Sequence, residues 1–75
     1  MVVTDLEINQ KATVKKIQAD SILKQRLISF GVIKGSTIKV LAVAPAKNTV
    51  EIEVGKMKIA LRKAEAQKIE VELCK

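Results

Sequence analysis

"TVEIEVGKMKIALR", residues 49–62, decides the fold. Val50, Ile52 and Val54 alternate with Glu51 and Glu53, and Met57, Ile59 and Leu61 alternate with Lys58 and Ala60. A period of two is the pattern of a strand with one face in a core and the other in water. Between the two runs, Gly55-Lys56 fits a two-residue type II′ turn with glycine at its first central position. That turn sets the register. Glu53 falls opposite Lys58 and Ile52 opposite Ile59, so charges meet outside and aliphatic groups meet inside.

The pattern continues on both sides. Downstream, "KAEAQK" (63–68) has room for one helical turn, and Ile69, Val71 and Leu73 then alternate with Glu70 and Glu72 as a last strand. Upstream, "STIKVLAVA" (36–44) reads as a strand with Ile38, Val40 and Ala42 on one face and Lys39, Leu41 and Val43 on the other. It is followed by a loop marked by Pro45 and Asn48. "TVKKIQ" (13–18) is a strand whose phase slips, because Val14 and Ile17 are three apart. A β-bulge there puts Lys15 and Lys16 on the same face. Near the start, Thr4 and Asp5 suit a single capped turn, and Asn9 suits a turn at positive φ.

One helix is expected, at about residues 20–30, capped by Asp20 or Ser21. Leu23, Leu27 and Phe30 recur at i, i+4 and i+7, and Ile22 is expected beside them on the buried stripe. Gly31 ends the helix in the left-handed conformation. Val32 and Ile33 then cross the core, and Lys34-Gly35 forms a type II turn with Gly35 at the positive-φ position. Five short strands and one helix predict a mainly β fold, a small SH3-like β-barrel of five to six strands, as a single domain over residues 1–75. An open sheet with so much alternation would expose adhesive edges.

Composition narrows the function. Fourteen Lys and Arg against eight Asp and Glu give a net charge of +6. There is no His, so the usual general base near neutral pH is missing, and no serine lies in a nucleophile setting. We expect no catalytic residue and no cofactor. One cysteine, Cys74, and no histidine cannot assemble a tetrahedral metal site in a monomer, so no metal ligand is expected. The pairs Glu51/Glu53 and Glu70/Glu72 read as cross-strand partners of lysines. Gly31 and Gly35 do not form a phosphate loop, because Lys34 precedes the second glycine. The lone cysteine and the lack of a secretory signal fit a reducing cytoplasm, and no apolar run is long enough to cross a bilayer, so no direct membrane insertion is expected. The charge would suit nucleic acid. However, single-strand binders stack bases on exposed aromatics, and Phe30, the only aromatic, falls on the buried stripe, so nucleic acid is not the expected partner.

"LKQRLISFGVIKGSTIKVLAVAP" (23–45) and "VEIEVGKMKIALRKAEAQKIEVE" (50–72) together resemble the ferrous iron transport protein A (FeoA) family. The shared features are a helix carrying Arg26-Leu27, the glycine turns, a strand running into Ala44-Pro45, the hairpin, Ala60-Leu61-Arg62 and a closing strand. The match extends from about Val3 to Glu72. It departs at Lys34, where the family usually has proline, at Asn9, where glycine is expected, and at Ala19-Asp20, which replace a glycine pair. The resemblance implies an SH3-like barrel and a non-enzymatic accessory of ferrous iron uptake. Such a protein would be cytoplasmic, peripheral at the inner face of the membrane through its partner, and would act by contact with the GTPase-containing transporter FeoB. A homodimer is compatible with it. The alternatives are a small barrel that binds nucleic acid, or one that regulates another metal-linked protein, as in the C-terminal domains of metal-dependent repressors.

Four residues are candidates for partner contact. Arg26 either bonds a carboxylate or loop carbonyls and pins the helix to the barrel, or meets an acidic patch on the partner; an arginine finger rests on analogy alone. Leu41 and Val43 are covered by the N-terminal segment or the helix, or else form an exposed apolar patch. Lys47, in the 45–48 loop, flanks that patch. Arg62 is expected to bond the 63–68 turn or an acidic side chain.

Overall fold

The computed structural model describes residues 1–74. Its strands are β1 (Lys11–Ile17), β2 (Thr37–Ala44), β3 (Thr49–Val54), β4 (Met57–Arg62) and β5 (Ile69–Leu73). The helices are α1 (Ser21–Ser29) and the single turn α2 (Lys63–Ala66), with short 3-10 helices at Val3–Asp5 and Pro45–Lys47. The strands form one antiparallel sheet in the order β4-β3-β2-β1-β5. The sheet wraps around a core of aliphatic residues and is SH3-like. Leu27, Ile38, Ile52, Leu61 and Ile69 are its largest fully buried side chains.

The hairpin has the expected register, with Glu53 opposite Lys58 and Ile52 opposite Ile59. Gly55 has φ +59° and Lys56 has negative φ, as a type II′ turn requires. β1 is bulged between Val14 and Lys16, and both Lys15 and Lys16 are exposed. Five strands form, the lower of the two numbers expected. The edges β4 and β5 do not pair with each other. The N-terminus covers the free edge of β5: Val2 bridges Glu70, and the Val71 amide donates to the Met1 carbonyl at 2.8 Å. An edge strand covered in this way cannot template the addition of another chain.

α1 begins at Asp20, whose carboxylate accepts the Leu23 amide at 2.9 Å. It ends with Gly31 at φ +90°, where the Gly31 amide donates to the Ile28 carbonyl and the Val32 amide to the Leu27 carbonyl, both at 2.9 Å. This pair of bonds satisfies carbonyls that the helix end leaves open. Gly35, at φ +93°, closes the next turn through Ser36 N–H to Ile33 C=O at 2.9 Å. The same turn is fastened to β1, since the Gly35 amide donates to Val14 C=O and the Val14 amide donates to Ser36 C=O, each at 2.8 Å. The two glycines therefore let a short helix cap the barrel and return the chain to the sheet within a few residues. Asn9 has φ +72°, the positive φ expected of its turn.

Three expectations are corrected. Ile22 is 81% exposed and does not join the buried stripe. At 100° per residue it lies a quarter turn from Leu23, on the shoulder shared with Arg26. Ile33 is also about half exposed, so Val32 alone is buried in the core. The third correction is in β2. A bulge between Val40 and Ala42 shifts the phase, so Ala42 stands opposite Glu51 on the outside and Val43 opposite Val50, a core residue. Leu41 is the unpaired bulge residue, and it does not share a face with Val43.

Candidate partner-binding surface

The phase shift in β2 brings Val43 to the mouth of a cleft. Val3 and Leu6 from the N-terminal turn, Val43 from the end of β2, Pro45 from the 3-10 turn after it, Val50 of β3 and Lys63 of α2 line most of it, around a volume of about 240 Å³. Val3, Leu6 and Val50 are buried and form the floor, while Val43 is 46% exposed. Backbone bonds hold the rim. Asn48, at φ +55°, ends the 3-10 turn by donating to Pro45 C=O at 3.1 Å, and its own carbonyl accepts the Lys63 amide at 2.8 Å. Lys47 projects from that turn and is exposed. The result is an apolar slot with two lysines nearby, one lining it and one on its rim.

Arg26 is placed elsewhere. Its Nη2 lies 3.1 Å from Oε2 of Glu65 and donates to Oε1 at 3.2 Å. The same Oε1 accepts the Arg62 amide at 3.0 Å. Glu65 thus caps α2 and receives the guanidinium of α1 at once. Its side chain is 15% exposed and that of Arg26 51%. Arg26 ties α1 to α2 through a carboxylate, one of the two roles open to it from the sequence, and half of its side chain still faces solvent. Arg62 contributes its backbone amide to this arrangement.

Of the four candidates, Val43 alone lines the cleft; Lys47 stands on the Pro45–Lys47 turn beside it, and Leu41 and Arg26 are not among the lining residues. Sequence reasoning missed the contribution of Lys63. It had the N-terminal segment as a possible cover for Val43, and Val3 and Leu6 do lie beside it. Phe30 is half-buried and packs against the core. Among the described residues no three carboxylate or thiol groups gather at one point, and no helix is long and apolar enough to cross a membrane.

The chain is similar to known proteins over nearly its whole length. It is 36% identical over 73 residues to a Campylobacter jejuni protein with the provisional name Fe(2+) transport protein A, covering 97% of this chain and 99% of that one. It is 29% identical over 73 residues to a Porphyromonas gingivalis Fe(2+) transport protein A/Fe(2+) transporter FeoB fusion protein. That alignment covers 97% of this chain and 9% of the fusion. Among solved structures, the zinc complex of Stenotrophomonas maltophilia FeoA, described as a prokaryotic SH3 domain protein, superposes with a TM-score of 0.82 at 27% identity. That superposition covers 96% of this chain and 89% of the other. The FeoA domain family model matches residues 1–73, and the chain belongs to that family.

Proposed function

We propose that this protein is a non-enzymatic accessory of ferrous iron uptake that works in the cytoplasm by contact with the transporter FeoB. One observation carries the reading: in the Porphyromonas gingivalis relative, a segment matching this chain and an FeoB transporter are one polypeptide. A fusion holds its two parts at high effective concentration, which favours a function requiring them to meet. The surface of this chain suits contact, because the cleft at Val43 offers exposed aliphatic area on a backbone-bonded rim, with Lys47 and Lys63 beside it. Arg26, with half its side chain open to solvent, and the half-buried Leu41 lie outside that cleft and take secondary parts in this reading. The chain's residues offer no histidine for general base chemistry, and the reading asks for none.

Ferrous iron uptake in cells lacking this protein tests the reading. Uptake should fall while the amount of FeoB in the membrane stays constant. Unchanged uptake, or a matching loss of FeoB itself, would contradict an accessory role.

A further inference from the structure

A second groove lies away from the Val43 cleft. The bulge of β1 supplies Lys15, Lys16 and Ile17, α1 supplies Lys24 and Ile28, and the Gly35 turn supplies Ile33 and Lys34; together they surround about 330 Å³. Ile28 and Ile33 are each about half exposed. No carboxylate lines the groove. Lys15 makes an exposed ion pair with Glu72 at 3.4 Å, and Glu70, opposite Lys16 in the ladder, is bonded by Gln18. Lys16, Lys24 and Lys34 make no ion pair among the described residues.

From this groove we infer that the protein docks on an anionic lipid surface, with the lysines among the headgroups and Ile28 and Ile33 at the acyl boundary. Two features favour a bilayer over a protein segment. Specific peptide sites are anchored by Arg, Trp or Tyr, whose planar groups fix geometry, and this groove has none. Lysine is a flexible point charge that recognises charge density without a fixed pattern, as a repetitive surface of phosphate headgroups demands. Exposed aliphatic groups among several lysines also combine the two weak signals that reversible surface attachment needs. The inference rests on the proposed work beside FeoB, and would give the protein its own hold on the bilayer that carries the transporter.

The test is sedimentation of the purified protein with phosphatidylcholine vesicles that either contain or lack phosphatidylglycerol. Wild type should bind only the phosphatidylglycerol vesicles and be released by salt. Lys16→Glu/Lys34→Glu should weaken binding roughly thirtyfold or more. Lys16→Arg/Lys34→Arg should leave binding intact, and Ile33→Ser should weaken it. Lys56→Glu/Lys58→Glu, with the same change in net charge at the hairpin turn, should have a small effect. No binding to the phosphatidylglycerol vesicles would overturn the inference, as would equal losses from the two charge reversals. Retention of detergent-solubilised FeoB by the Lys16→Glu/Lys34→Glu protein is read separately. If that variant still retains FeoB, the bilayer contact and the transporter contact are separate surfaces; if the wild-type protein retains FeoB yet binds no phosphatidylglycerol vesicles, the bilayer contact alone is refuted and the accessory role stands.

Discussion

Arg26 of α1 and Glu65 of α2 are 39 residues apart in the chain, yet their side chains meet at 3.1 Å. The pair is asymmetric. Glu65 is mostly enclosed and also accepts the Arg62 amide, while Arg26 is half in solvent. Removing the arginine leaves a carboxylate that keeps its backbone bond. Removing the glutamate leaves the start of α2 without its cap.

We therefore expect Arg26→Ala to lower stability by no more than ~1 kcal/mol, as for exposed ion pairs. Glu65→Ala should cost more, about 1–2 kcal/mol, through the lost cap as well as the ion pair. Urea unfolding of the two variants gives the comparison, and an equal or reversed order would contradict the assigned roles.

The helix end gives a second prediction. Gly31 sits at φ +90°, and a β-carbon added there would meet Val54 Cγ1 at 3.7 Å, an ordinary contact. The cost of Gly31→Ala is then backbone strain rather than a clash, and should be about 1–2 kcal/mol. Thermal unfolding would check it. A neutral Gly31→Ala would mean that the chain leaves α1 by another turn.

Lys34 offers the opposite case. It precedes Gly35 in the turn closed by Ser36 and Ile33, and its amide makes no backbone bond among the described residues. Proline at that position fixes the φ the turn already uses. Lys34→Pro should stabilise the protein by about 0.4–1 kcal/mol, mainly by restricting the unfolded chain. A lower unfolding midpoint would show that the turn is of another type.

These cases also show which features could be read in the sequence. The β3–β4 hairpin was legible residue by residue, because strict alternation and Gly55 leave one register that buries one face. The bulge in β1 was legible because Val14 and Ile17 break that alternation. The bulge in β2 was not. From Val40 to Ala44 every side chain is apolar, so no contrast between faces marks where the phase changes. Val43 is consequently expected on the wrong face, and its exposure is only one of the two alternatives the sequence leaves open. Ile22 was drawn into the buried stripe by its place next to Leu23, when one residue along a helix turns the side chain by about 100°. For Arg26 the sequence leaves a carboxylate, loop carbonyls and a partner's acidic patch open, because the fold and not local spacing brings Glu65 to it.

The cleft gives the remaining prediction and the most direct test. Val43 is exposed at the rim, so Val43→Glu should leave the fold intact, with a stability change near ~0.5 kcal/mol, the scale of surface substitutions. Detergent-solubilised FeoB should be passed over immobilised wild type, Arg26→Ala and Val43→Glu proteins. The account predicts retention by wild type, weaker or equal retention by Arg26→Ala, and loss with Val43→Glu while its circular dichroism matches wild type. Failure of the wild-type protein to retain FeoB would contradict contact with the transporter, and undiminished retention by Val43→Glu would contradict the cleft as its site.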